Sequence, residues 1–154
     1  MKTFDIRLWN QSWRPVMNIY GANALFDTGA IIPVISLPKD LLERRFDAKL
    51  IEENISVGGF GGGKSLGCIY SLANFNISVM HYRILECFVP NNADDDFPII
   101  LSAPLFYDAI YTINMKEGKM SVIVADDKLQ NNEFIIKDLA EKICVQVNGV
   151  MLQR

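Results

Sequence analysis

An aspartate, a threonine and a glycine follow an apolar run in Ala24-Leu25-Phe26-Asp27-Thr28-Gly29-Ala30. A strand ending at Phe26 would carry Asp27 out of the interior, where Gly29 allows a tight turn and the Thr28 hydroxyl can hydrogen-bond within that turn. A carboxylate held there could perform acid–base chemistry. An ordinary turn is the alternative interpretation, because turns favour the same residue types.

A second motif is rich in glycine and matches the pattern G-x-x-x-x-G-K-[ST] of phosphate-binding loops. It reads Gly58-Gly59-Phe60-Gly61-Gly62-Gly63-Lys64-Ser65. Such a loop needs a following helix, whose N-terminus and backbone N–H groups hold the phosphates. The residues 66–72 instead favour a strand, because they carry a glycine and a branched residue early and no capping signal. Residues 122–126 could imitate a magnesium-holding carboxylate, so nucleotide binding remains an alternative, although the strand–helix alternation of a parallel sheet is missing.

The composition indicates a globular protein without a nucleic-acid or membrane partner. The chain has 154 residues, of which 50% are apolar and 21% charged, which is typical of one globular domain with a terminal appendage. The net charge is −3 and no basic stripe is present, so no nucleic-acid partner is expected. No apolar run is long enough to cross a bilayer, and the N-terminus lacks the apolar core of a signal peptide. We therefore expect no membrane partner and a cytoplasmic location.

Histidine and cysteine offer little chemistry. His81 is the only histidine and has no nucleophile near it in sequence, so a structural role is predicted. The three cysteines, Cys68, Cys87 and Cys144, lack the spacing of a zinc site or a disulfide framework. They are expected to be buried thiols in a reducing compartment, and we expect neither a cofactor nor a metal.

Hydrophobic periodicity predicts a mainly β chain. Helices are expected over 36–46, 104–110 and 133–144, a polar turn over 10–15 and a polar linker over 125–132. The glycine cluster would form the tip of a hairpin and could act as a lid. Strands are predicted over 3–9, 16–20, 24–26, 31–35, 51–57, 66–72, 75–79, 82–89, 97–101, 111–115, 120–124 and 145–152.

From residue 16 to residue 124 the chain resembles the retroviral-type (retropepsin-like) aspartic proteases, and among them the cellular members related to DNA-damage-inducible proteins. The resemblance rests on the Asp-Thr-Gly-Ala motif, the glycine hairpin over 57–62, and the apolar stretch 97–106 with the hairpin that follows it. It implies a closed-barrel acid-protease fold over 1–125 with short helices. Residues 126–154 would form an appendage with a C-terminal helix that could take part in dimerisation.

The resemblance also implies roles for individual residues. Asp27 would be the catalytic aspartate and Thr28 would lock the base of the site through hydrogen bonds. Gly29, grouped with Asp27 and Thr28 in the catalytic turn, and Ala30 would border the bound substrate. A flap made of Gly58, Gly59, Phe60, Gly61 and Gly62 would cover it. Ile31, Ile32 and Ile100 would supply apolar subsites if they line the cleft.

The sequence departs from the family pattern at three positions. Ser102 stands where members usually have glycine, and Ile31 and Ala103 replace an Asp–Arg pair found in retroviral members. Loss of both partners leaves no charge buried alone. It does change the contacts expected with substrate and in the dimer.

A single Asp-Thr-Gly motif supplies one carboxylate, whereas the family chemistry uses two that share a proton and activate a water molecule against a peptide carbonyl. We therefore expect a homodimer with Asp27 from each copy at the two-fold axis, acting on peptide or protein substrates at mildly acidic pH. An inactive, protease-like dimer that binds peptides is the alternative from a different class.

Overall fold

The computed structural model describes residues 1–58, 63–92, 96–139 and 143–153. The described residues form a mainly β protein with one α-helix, α1 (Lys39–Phe46), and 3-10 helices at Ala103–Phe106 and Asp126–Lys128. The strands are β1 (Lys2–Arg7), β2 (Trp9–Gln11), β3 (Arg14–Ile19), β4 (Ala22–Asp27), β5 (Val34–Ile35), β6 (Lys49–Gly58), β7 (Lys64–Ile77), β8 (Met80–Pro90), β9 (Ile99–Ser102), β10 (Ala109–Asn114), β11 (Lys119–Val124), β12 (Asn132–Asp138), β13 (Cys144–Val147) and β14 (Val150–Gln153).

The strands form two sheets. A small antiparallel sheet has the order β1-β11-β10, and a large mixed sheet has the order β14-β13-β12-β8-β5-β9-β4-β3-β2, with β7 joining β8 to β6. Among the described residues no ladder joins β14 to β2, so the closed barrel stays a prediction. Strand β4 pairs with β3 on one side, antiparallel, and with β9 on the other, parallel. The strand that ends at Asp27 is therefore held along both edges.

Aromatic side chains pack around Phe26, near the end of β4. The Phe26 ring is 5.3 Å from the Phe106 ring and 5.2 Å from the Tyr111 ring, centre to centre, in edge-on arrangements. The buried Tyr82 hydroxyl donates a hydrogen bond to the Leu105 carbonyl, which ties β8 to the 3-10 helix that carries Phe106. Edge-on ring pairs contribute about 0.5–1.5 kcal/mol each beyond their buried area. The strand before Asp27 thus packs, through Phe26, against an aromatic cluster whose 3-10 helix is hydrogen-bonded to β8.

Strands β6 and β7 form the predicted hairpin around the glycine cluster. Its tip, residues 59–62, lies outside the described residues. Midway along the hairpin, β7 approaches β8 very closely at Gly67, where a Cβ atom would lie 2.3 Å from the Val89 carbonyl oxygen and 2.7 Å from the Pro90 Cα. No residue other than glycine fits there without a shift of the backbone.

The predicted C-terminal helix is wrong. None of the described residues of 133–144 is helical, and Asn132–Asp138 is strand β12, which pairs in parallel with β8 and antiparallel with β13. Branched Ile135 and Ile136 are poor helix formers and suit a strand, and the edge of β8 offers hydrogen bonds that a helix would leave unused. Tertiary pairing therefore overrides a spacing that also fits a helix.

Several further predictions differ in detail from the structure. The helix expected over 104–110 is a 3-10 helix of residues Ala103–Phe106, because the chain enters β10 at Ala109 to pair with β11. The polar turn expected over 10–15 is a hairpin of β2 and β3, and its turn residues Ser12 and Trp13 have φ of 54° and 64°. The strands predicted over 66–72 and 75–79 are one continuous strand, β7, and the strand predicted over 145–152 is a hairpin of β13 and β14. The linker expected over 125–132 contains the 3-10 helix Asp126–Lys128. The other predicted strands and α1 are present with bounds that differ by a few residues, and 31–35 is reduced to β5 (Val34–Ile35).

Candidate active site

The carboxylate of Asp27 is held by the turn that follows β4. The Gly29 N–H donates a hydrogen bond of 2.9 Å to the Asp27 Oδ1 atom, and the Ala30 N–H donates one of 3.1 Å to the Asp27 carbonyl oxygen. Asp27 is half-buried, whereas Thr28 and Gly29 are exposed. The turn thus orients one carboxylate oxygen by a backbone donor and leaves the group accessible to a ligand.

The local sequence explains this arrangement. Leu25 and Phe26 are each 2% exposed, and consecutive strand residues face opposite sides of a sheet, so β4 is anchored on both faces up to Asp27. A Cβ atom added at Gly29 would lie 3.3 Å from the Asp27 Oδ1 atom, so glycine leaves room for the carboxylate beside the turn. The structure confirms the predicted strand, the predicted glycine turn, and the prediction that Asp27 leaves the interior at the end of the strand.

A cavity of about 360 Å³ opens beside the carboxylate. Apart from Asp27, its lining is made of glycines and apolar side chains. The predicted site residues Gly29, Ala30, Ile31, Ile32, Gly58 and Ile100 all lie around it, together with Val34, Val57 and Ile143. The predicted flap residues Gly59, Phe60, Gly61 and Gly62 lie outside the described residues.

Three residues of the cavity lining were not predicted from the sequence, and they come from three different parts of the chain. Val34 belongs to β5 and Val57 to β6, close in sequence to predicted site residues. Ile143 comes from the far end of the chain, directly before β13. No local signal in the sequence indicates that Ile143 lines the same cavity as Asp27, because its position depends on how β12 and β13 dock.

A second cavity, of about 350 Å³, is also lined by Asp27. Thr28 lines it too, together with residues of the β3–β4 hairpin and of β10 with its following turn. Its lining is Arg14, Pro15, Leu25, Phe26, Asp27, Thr28, Ile113 and Met115. In both cavities Asp27 is the sole carboxylate among the described lining residues.

The positions that depart from the family pattern have clear places in the structure. Ser102 is fully buried at the end of β9, directly opposite Asp27 in the β4–β9 ladder, and its hydroxyl has no hydrogen-bond partner within the described part of the chain. Ile31 lines the first cavity, and Ala103 begins the 3-10 helix. Apolar residues thus stand at both positions where the retroviral members have the Asp–Arg pair.

The structure disfavours the nucleotide alternative. Lys64 and Ser65 begin strand β7, which runs to Ile77 and pairs with β6 and β8. A phosphate-binding loop needs a helix at that point. Across the described ranges, no cluster of three metal-ligating side chains is found, and no helix is both long and apolar enough to span a membrane.

Comparisons with known proteins bear on the fold. No family model matches the sequence, and no curated protein matches it. The structure is similar to the crystal structure of a retropepsin-like aspartic protease from Rickettsia conorii, with a TM-score of 0.51 and 15% sequence identity, over 79% of this chain and 91% of that chain. The fold resembles that of a retropepsin-like aspartic protease. At this identity the likeness concerns the fold, so the roles of individual residues rest on the geometry of the site.

Proposed function

We propose that the protein is a homodimeric aspartic endopeptidase of the retropepsin-like type. The observation that carries this proposal is Asp27, held by the Gly29 N–H at the edge of an apolar cavity, on a fold that resembles these proteases. A carboxylate in such a turn has a defined orientation and access to a peptide. A closed barrel, kinship with the DNA-damage-inducible type and a cytoplasmic location belong to the same proposal.

The chemistry requires a second carboxylate. Two carboxyl groups held close together share one proton, so that one acts as base and the other as acid. The base takes a proton from a water molecule, and the water oxygen attacks the peptide carbonyl while the acid protonates the carbonyl oxygen. When the tetrahedral intermediate collapses, the C–N bond breaks and the departing nitrogen receives a proton from the dyad. The products are a carboxylic acid and an amine.

A second copy of the chain would supply the missing group. Asp27 is the sole carboxylate in the described lining of either cavity, so the described residues of one chain supply one of the two carboxylates. A two-fold axis beside Asp27 would bring the same residue from each copy together. Thr28 is exposed next to it and is proposed to hold the base of the joined site. A contribution of residues 126–154 to the dimer interface is a further prediction.

The cavity favours apolar parts of an extended peptide. Its lining offers apolar side chains and the backbone of Gly29 and Gly58, which can hydrogen-bond a peptide main chain. The residues predicted to form the flap, Gly59 to Gly62, would cover that peptide. No metal or cofactor is required by this mechanism.

The decisive experiment replaces the carboxylate. Asp27→Asn should lower peptide cleavage by on the order of 10²- to 10⁴-fold, since an amide can neither accept nor donate the proton as required. The matched control is Asp40→Asn on the exposed first turn of α1, which should cleave like the wild type. Cleavage of a peptide library is followed by mass spectrometry at mildly acidic pH. Unchanged cleavage by Asp27→Asn would overturn the proposal.

A mixing experiment tests the shared site. Excess Asp27→Asn protein added to a fixed amount of wild type should suppress cleavage, because exchange of subunits produces heterodimers with one carboxylate. Activity that stays constant across the titration would contradict a dyad shared between copies. Tight binding of a statine-type analogue separates a working dyad from an inactive peptide-binding dimer, since only the former gains affinity for the tetrahedral mimic.

A further inference from the structure

The cavity beside Asp27 receives one of its lining residues from the C-terminal part of the chain. Ile143 lines it together with Ile31 and Ile100, which belong to the predicted protease domain. Ile143 is half-buried and also packs against the main hydrophobic core. It therefore contacts the core on one side and the open cavity on the other.

The strands next to Ile143 are firmly attached to the body of the protein. Cys144 and Val145, the first residues of β13, are 4% and 0% exposed. Strand β13 pairs with β12 and β14, and β12 is bound to β8, where the buried Glu86 accepts a hydrogen bond of 2.9 Å from the Ile136 N–H. The position of Ile143 is thus set by the sheet and not by a free chain end.

The chemistry of the lining limits what can enter. Apart from the Asp27 carboxylate, the side chains of the described lining residues are apolar, so a polar side chain placed among them would lose water and find few hydrogen-bond partners. The volume of about 360 Å³ lies at the lower end of the range for ligand pockets. An apolar side chain next to the bond held at Asp27 is the occupant that fits.

We propose that Ile143 is a specificity-determining residue, which limits the size of the apolar side chain that a peptide substrate places in the cavity beside Asp27. This inference rests on the proposed function. It assigns the C-terminal segment a part in substrate selection, and the substrates are peptides with an apolar residue next to the cleaved bond. Shortening Ile143 should enlarge the subsite and favour a bulkier side chain.

The test compares three variants with the wild type on peptides that differ in one residue beside the cleaved bond, namely Val, Leu or Phe. Ile143→Ala should raise the ratio of kcat/KM for Phe over Val by about tenfold or more, since each methylene in an apolar subsite is worth roughly ten- to 200-fold. Ile143→Val removes one methyl group and should shift the ratio in the same direction by less. Leu152→Ala is the matched control, because Leu152 is half-buried on β14 and packs on the same core but does not line the cavity.

An unchanged ratio in both Ile143 variants, or an equal shift in Leu152→Ala, would overturn the inference. The proposed function has its own test, because cleavage that survives Asp27→Asn would refute the protease assignment whatever the Ile143 variants do. If the wild type does not cleave, the same side-chain series is built into statine-type peptides and the ratio of Kd values is compared. The same shift is expected there, and its absence overturns the inference equally.

Discussion

Asp27 and Ser102 lie directly opposite each other in the parallel ladder between β4 and β9. Directly opposed residues in a sheet share a face, so the proposed catalytic residue has a buried serine as its nearest cross-strand neighbour. Ser102 is fully buried and its hydroxyl has no hydrogen-bond partner among the described residues. Ser102 is thus a buried polar neighbour of Asp27 that lines neither cavity.

The Ser102 hydroxyl should reduce stability. A buried polar group without a partner costs about 1–3 kcal/mol, so Ser102→Ala is expected to raise the free energy of unfolding by about 1 kcal/mol. Urea denaturation measures this change. Ser121→Ala is the matched control with the opposite sign, because the Ser121 hydroxyl donates a hydrogen bond of 2.9 Å to Asp5 and its loss should be destabilising. A loss of stability in Ser102→Ala would show that the hydroxyl is bonded in solution.

The Gly29 turn controls the orientation of the Asp27 carboxylate. In Gly29→Ala the new Cβ would lie 3.3 Å from the Asp27 Oδ1 atom, so the carboxylate must move by a few tenths of an ångström. Since a misplacement of about 1 Å can cost roughly a hundredfold in rate, we expect kcat to fall by about tenfold with little change in thermal stability. Gly63→Ala, where a Cβ meets nothing within 4 Å, is the control. Equal kcat values for Gly29→Ala and the wild type would contradict this role of the turn.

Gly67 is required by the close approach of β7 to β8. In Gly67→Ala the methyl group would meet the Val89 carbonyl oxygen at 2.3 Å, which forces the two backbones apart. Overpacking of this kind costs about 1–3 kcal/mol, so the midpoint of urea unfolding should fall markedly. Ala73→Ser, a small change further along the same strand, serves as the comparison. A midpoint that Gly67→Ala leaves unchanged would mean that the ladder is looser than the structure shows.

Glu86 should make stability depend on pH. Burial raises the pKa of its carboxyl above the usual range, while the Ile136 N–H and the charge of Lys137 act in the opposite direction. A carboxyl whose pKa is higher in the folded state binds its proton more tightly there. The free energy of unfolding therefore falls as pH rises from the ordinary value of about 4.3 to the raised one.

Glu86→Gln removes this titration. The variant stays neutral and its amide oxygen can still accept from the Ile136 N–H, so its stability should match the wild type at low pH and exceed it increasingly as pH rises through that window. Chemical denaturation at a series of pH values measures the difference. Glu43→Gln, an exposed position on α1, should show no such trend. A difference between Glu86→Gln and the wild type that is constant with pH would disprove the effect.

Local patterns in the sequence were sufficient for much of the fold. The strand before Asp27, the glycine turn, α1 and the hairpin around the glycine cluster follow from alternation and turn residues, which act between residues close in sequence. The apolar run over 97–101 likewise predicts a strand, which is found as β9 (Ile99–Ser102) with Ile100 half-buried at the cavity. These features also sufficed to indicate a retropepsin-like fold.

Tertiary structure decided the remaining features. Residues 133–138 have apolar spacing that fits a helix or a strand, and the free edge of β8 selected the strand. The same docking brings Ile143 to the cavity, and the parallel ladder of β4 with β9 places Ser102 opposite Asp27. Each of these contacts joins segments far apart in the chain. The physical reason is that the energy of pairing a strand depends on which edge is available to it, and that is a property of the folded molecule, not of the strand's own residues.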